Sequence, residues 1–146
     1  MYFVDQSKIE EVLVYIERLL QELPKHPYDS FLEKLALERM THMIIESIID
    51  VGNMMIDGFI MRDPGSYEDI IDILIDEKVI PSDEEKMYKE IIRLRNMLVK
   101  EYMQVDHKML QNTVLEHKEV LDHFSAHIRT YLTNETGVAN AFSNES

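Results

Sequence analysis

The sequence predicts an all-α fold, an up-and-down bundle of four main helices with one additional short helix. Three observations carry that prediction. Apolar residues recur at three- and four-residue intervals along most of the chain, as one face of a helix requires. Ser-x-x-acid boxes and Pro or Gly punctuate these runs where helices would start and stop. No stretch alternates apolar and polar residues as a half-buried strand would. With 146 residues, 45% of them hydrophobic, the chain can bury one real core but not two. The expected domain spans residues 1–132. The tail 133–146, TNETGVANAFSNES, has no periodicity and is expected to be mobile, with Phe142 as an optional docking residue.

The first helix is expected to start after Ser7, where Ser7-x-x-Glu10 has the form of a capping box. Ile9, Val12, Leu13, Ile16, Leu19, Leu20 and Leu23 make its apolar stripe, and Pro24 and Pro27 end it. Ser30-x-x-Glu33 opens a long second helix reaching Gly58 or Arg62. Its apolar residues, among them Leu37, Ile44, Ile45, Ile48, Ile49, Val51, Met55 and Ile56, cover more than one face. Such a helix is central to the bundle, or packs on the bundle and a partner subunit together; the second is expected, because a small domain has few helices to surround it. Asp63-Pro64-Gly65 is a turn, and Ser66-x-x-Asp69 starts the short helix, which fades near Lys78. After Pro81, Ser82-x-x-Glu85 starts a charged helix. A single last helix is expected from Asp106 to Leu132, with Leu110, Val114, Leu115, Leu121, Phe124, Ile128 and Leu132 on its apolar side.

Composition excludes several classes. Without cysteine there is neither a disulfide scaffold nor a thiolate metal site. The opening MYFVDQSKIEE lacks a basic region followed by an apolar run, so no signal peptide is expected and cytoplasm is the default location. The most apolar stretch, 40–61, is broken by His42, Glu46, Asp50, Asn53 and Asp57, which argues against a membrane span. A net charge of −13 opposes general nucleic-acid binding. A local basic patch remains in Lys86, Lys89, Arg93, Arg95, Lys100 and Lys108, blunted by Glu84, Glu85, Glu90 and Glu101.

The charged helix ends in Arg95-Asn96-Met97-Leu98-Val99-Lys100-Glu101-Tyr102. Arg95 and Tyr102 are seven residues apart, two helical turns, and are expected to project from one face, where guanidinium and phenol can position a phosphate. The plainer reading is a solvated helix face. The order of residues resembles the Arg-x4-His-x-Tyr signature of HepT-type HEPN proteins, with Lys100 where the family usually has histidine. ALERMTHMIIESIIDVGNMMI is similar to their second-helix signature, and DPGSYEDIIDILIDEKVI to their Pro-x-Ser-Tyr segment. The three pieces stand in the family's order, over roughly residues 5 to 132.

The resemblance implies a HEPN-type bundle, usually a homodimer, that cuts RNA without metal or cofactor. The 2′-OH attacks the neighbouring phosphate in a cleft shared by two subunits. It further implies a toxin paired with an MntA-type nucleotidyltransferase antitoxin. Carried over by position, Arg95 would hold the phosphate, and Asn96 would support the arginine or the ribose. Lys100 would stand in for the proton-transferring histidine, and Tyr102 would be the tyrosine that the antitoxin modifies with AMP. Lysine suits proton abstraction poorly, since the free side chain titrates near about 10.4 and is an acid at neutral pH. In a regular helix Lys100 also points about 140° from Arg95. The alternative is a catalytically inactive homologue that binds RNA or a nucleotidyltransferase. For Tyr102 a packing role stands beside the regulatory one. Tyr67 is expected to anchor its turn to the core.

Other constellations are weaker. His42, Glu46, Asp50, Asn53 and Asp57 form a polar stripe on the second helix, read as a cleft, interface or channel lining. A di-iron bundle would need Glu-x-x-His on two helices, and the sequence contains none. His123 and His127, one turn apart, and His117 are read as surface residues rather than metal ligands, so no metal site is expected. His107 is a distant candidate to replace the missing histidine.

Overall fold

The computed structural model describes residues 4–145 of the backbone, with side chains described up to 135. Among the described residues there are six α-helices and no strand: α1 Gln6–Glu22, α2 Phe31–Gly58, α3 Tyr67–Asp76, α4 Glu85–Lys100, α5 His107–Glu116 and α6 Lys118–Glu145. Two 3₁₀ turns, Leu23–Lys25 and Ser82–Glu84, punctuate them. The all-α prediction holds.

Local chemistry sets the helix starts. The Ser30–Glu33 capping box is complete, with the Ser30 Oγ accepting from the Glu33 N–H and the Glu33 carboxylate accepting from the Ser30 N–H. Ser66 caps α3 through the Asp69 N–H. The Ser7 box does not form: Asp5 caps α1, accepting from the Lys8 N–H. Asp and Ser are near-equal caps, and the earlier one gains α1 additional residues. Ser82 likewise caps nothing; it opens a 3₁₀ turn, and α4 begins at Glu85 without a side-chain cap.

The core lies around α2, which packs against α1, α3, α4 and α5. Leu37, Ile44, Ile45, Ile48, Ile49, Val51, Met55 and Ile56 are all buried within one chain. The sequence predicts that α2 packs on a partner subunit as well as on the bundle; these apolar residues are covered by the bundle alone. Large apolar side chains of α2 are exposed at its start, in Phe31, Leu32 and Leu35. Gly52 permits the closest approach, since a Cβ there would lie 2.4 Å from the Ile70 Cγ2 on α3. Arg129 on α6 ties the two ends of the chain together, donating to both Glu10 and Glu17 on α1.

The expected single last helix is two helices. The chain bends at His117, whose ring is 2.5 Å from Glu90 on α4, in a largely buried position. The apolar spacing of Leu110, Val114, Leu121 and Phe124 runs in phase through the bend, so periodicity alone could not reveal it. α6 extends to Glu145, and Phe142 lies outside the residues whose side chains are described.

Candidate functional site

The last turns of α4 face the start of α3 across a hollow of about 350 Å³. Arg95, Asn96, Val99 and Lys100 line it from α4, and Ser66, Tyr67 and Glu68 from the α3 start. Ile92, Asn96 and Val99 follow helical spacing and form a ridge, flanked on one side by Arg95 and on the other by Lys100. The 140° separation of these two cations therefore does not keep them apart: both reach the same hollow.

Arg95 is held in place twice. Its Nε donates to the Glu46 Oε1 at 2.5 Å, and its Cζ lies 4.5 Å from the centroid of the Tyr67 ring. The bond to Glu46 raises its pKa further above the usual arginine value, so the guanidinium stays charged at any working pH. Among the described residues its terminal nitrogens make no hydrogen bond, which leaves that edge for a ligand. Arg93 is neutralised by Glu68, at 2.8 Å. Lys100 is exposed and makes no ion pair among the described residues. Three cations thus face one lining carboxylate, with Glu46 committed behind Arg95, on a protein of net charge −13. That local charge balance suits an anion.

The other sequence-predicted residues separate. Within the polar stripe, Glu46 reaches Arg95, and the His42 Nε2 stands 3.4 Å from the Glu46 Oε1. Asp50 instead lines a groove between α1 and α2, while Asn53 is half-buried and Asp57 exposed, away from the hollow. The Arg95–Tyr102 register is corrected: α4 ends at Lys100 with Glu101 as C-cap, so Tyr102 sits in the following turn, 64% exposed. His107 pairs with Glu38 on α2 at 2.7 Å and does not enter the hollow. Tyr67 also departs from expectation. It is 47% exposed and serves as the platform under Arg95 rather than as a core anchor. The available sequence signal was its place at a helix start beside a tight turn, where side chains point outward.

Arg95 and Lys100 both bring positive charge to the lining of this hollow, which is the complement an anion requires. None of the histidines lines it.

The family model described as Ribonuclease HepT-like matches residues 9–128. The chain belongs to the HepT-like family. The match includes α4, the α3 start and the middle of α2, and so every residue that shapes the hollow. "Putative RNase YutE" of Bacillus subtilis (strain 168) is 46% identical to this HepT-like chain over 143 residues, covering 97% of it and 99% of YutE. A solved structure of YutE, described as a cytosolic protein of unknown function, superposes with a TM-score of 0.91 over 94% of this chain and 96% of that one. A tri-AMPylated Shewanella oneidensis HEPN toxin in complex with its MNT antitoxin superposes with a TM-score of 0.74 at 20% identity. It covers 84% of this chain and 96% of the toxin, and at that identity the likeness speaks to fold. Among the described residues no helix of this HepT-like protein is long and apolar enough to cross a membrane.

Proposed function

We propose that this HepT-like protein is a metal-independent endoribonuclease of toxin type, acting as a cytoplasmic homodimer. The observation that carries the reading is the Arg95 guanidinium, clamped by Glu46 and Tyr67 with its free edge turned to a hollow shared with Lys100. A pre-positioned, permanently charged fork suits a phosphodiester whose charge grows in the transition state. In this reading the 2′-OH forms a bond to phosphorus and the bond to the 5′-oxygen breaks. Water takes the 2′ proton, Lys100 gives one to the leaving 5′-oxygen, and a cyclic phosphate remains. Asn96, exposed beside Arg95, orients the ribose. The lysine at the family's histidine position thus serves as the acid and leaves the base to solvent. Val99, Tyr102 and Met103 expose apolar surface directly beside this end of α4, which supports a second subunit closing the cleft there.

The test is RNA cleavage in EDTA by wild type, Arg95→Ala and Lys100→His. Arg95→Ala is expected to lose about 10²–10³-fold in rate, while Lys100→His keeps or raises it and brings the optimum toward neutral pH. A second reading, an inactive homologue that binds RNA or a nucleotidyltransferase, is favoured by the lysine itself. It predicts an inert wild type that gains cleavage only as Lys100→His. Equal cleavage by wild type and Arg95→Ala would remove Arg95 from the chemistry.

A further inference from the structure

Glu84 carries a second constellation, at the opposite end of α4. Its carboxylate is about nine-tenths buried and accepts a hydrogen bond from the Tyr88 hydroxyl at 3.1 Å. The His123 Nδ1 lies 3.1 Å from one carboxylate oxygen and the His127 Nε2 3.0 Å from the other. Three ligand-capable atoms therefore lie within 4.8 Å of one another. Among the described residues no lysine or arginine pairs with Glu84. A buried carboxylate without a permanent cation is unusual, because such groups are paired or bound to metal. Each of the other histidines pairs with a different glutamate: His26 with Glu22, His42 with Glu46, His107 with Glu38 and His117 with Glu90. Two imidazoles converge only on Glu84.

We propose that Glu84, His123 and His127 bind one divalent transition-metal ion, with zinc the best match. Two imidazoles and a carboxylate are a borderline donor set that suits zinc, and three protein ligands leave a fourth position open. His123 and His127 are spaced H-x3-H, one turn apart on α6. Glu84 arrives from the 3₁₀ turn 39 and 43 residues earlier in the chain. The metal closes that distance and clips the start of α4 to α6. Ions reach it through the open hollow beside α6, which His127, Ser82 and Thr130 help to line. Eleven residues of α4 put the clip about 16 Å from Arg95, so it fixes the bundle and takes no part at the phosphate site.

The test loads the metal-free full chain with Co²⁺ as a spectroscopic probe and with Zn²⁺, comparing wild type with His123→Gln, His127→Gln and the control His26→Gln. His123 is half-exposed, with 49% of its side chain accessible, so its replacement leaves the fold intact; circular dichroism without metal checks this. Wild type and His26→Gln are expected to take up one ion per chain, with visible Co²⁺ bands of a low-coordinate site. Both α6 variants should bind at least tenfold more weakly. At a hundredfold excess over the wild-type dissociation constant, zinc should raise the melting temperature of wild type by about 9 °C, and of each variant by no more than about half as much. No uptake by wild type, or equal uptake by all four proteins, overturns the proposal. The cleavage assay in EDTA is independent of this outcome.

Discussion

Arg62 and Arg95 each grip a carboxylate, with different consequences. Asp69 receives both terminal nitrogens of Arg62, at 2.7 and 2.9 Å, and the Gly65 N–H at 2.8 Å. The Arg62 bonds above all, then the Gly65 N–H, hold its carboxyl well below the usual aspartate range. A depressed folded-state pKa gives stability that is fully present above the unfolded value of about 3.9 and is lost as pH falls through the folded one. The carboxyl carbon of Asp69, followed by NMR, should therefore titrate below the free value in wild type and move up toward it in Arg62→Ala. An unmoved midpoint would show that the helix N-terminus, not Arg62, holds the charge. Arg95 differs because its carboxylate, Glu46, is spent on orientation and its outer nitrogens stay available. In the first pair the bond serves the turn; in the second it aims a cation.

The packing of α2 on α3 links the core to the site at the level of whole elements. Gly52 allows α3 to lie close, and α3 presents Tyr67 beneath Arg95. Gly52→Ala gains about 1 kcal/mol in helix propensity. Against that, its Cβ would sit 2.4 Å from Ile70, an overpacking that costs about 1–3 kcal/mol. The cost wins, so a net destabilisation of about 1 kcal/mol is expected, read as a lower urea midpoint at unchanged slope. Because α3 must move away to relieve the clash, RNA cleavage should fall more than stability alone explains. A variant with wild-type midpoint and activity would show that α3 does not need this contact.

Across the whole molecule, the exposed apolar side chains and the acidic surface bear on partners. Phe31 and Leu32 are 78% and 76% exposed, and Met103 is 84% exposed beside Tyr102. The proposed homodimer should cover part of this surface and sediment at twice the chain mass, with Met103→Glu shifting it toward monomer. Tyr102 stands free in the turn after α4 and outside the hollow, where an AMP group would add bulk and negative charge at the cleft mouth. With ATP and an MntA-type nucleotidyltransferase, wild type is expected to gain AMP by mass spectrometry and to lose cleavage, whereas Tyr102→Phe does neither. Modification of Tyr102→Phe to the same extent would place the target elsewhere.

The order and type of the helices were legible in the sequence because helical periodicity and the Ser30 and Ser66 caps are local. So were the HepT-like kinship and the candidate cation Arg95, carried by residues close together in the chain. The start of α1 was not, since two adequate caps compete there, nor was the bend at His117, which leaves the apolar phase intact. Only the tertiary structure decided what each polar side chain meets. It turned Glu46 and Tyr67 toward Arg95, ended α4 before Tyr102, and covered the apolar middle of α2 with the bundle itself. It also brought Glu84 to His123 and His127 from 39 and 43 residues away. Local propensities fix which helix forms, but which faces touch is set by burying the shared core, and contacts so distant in sequence leave no local pattern to read.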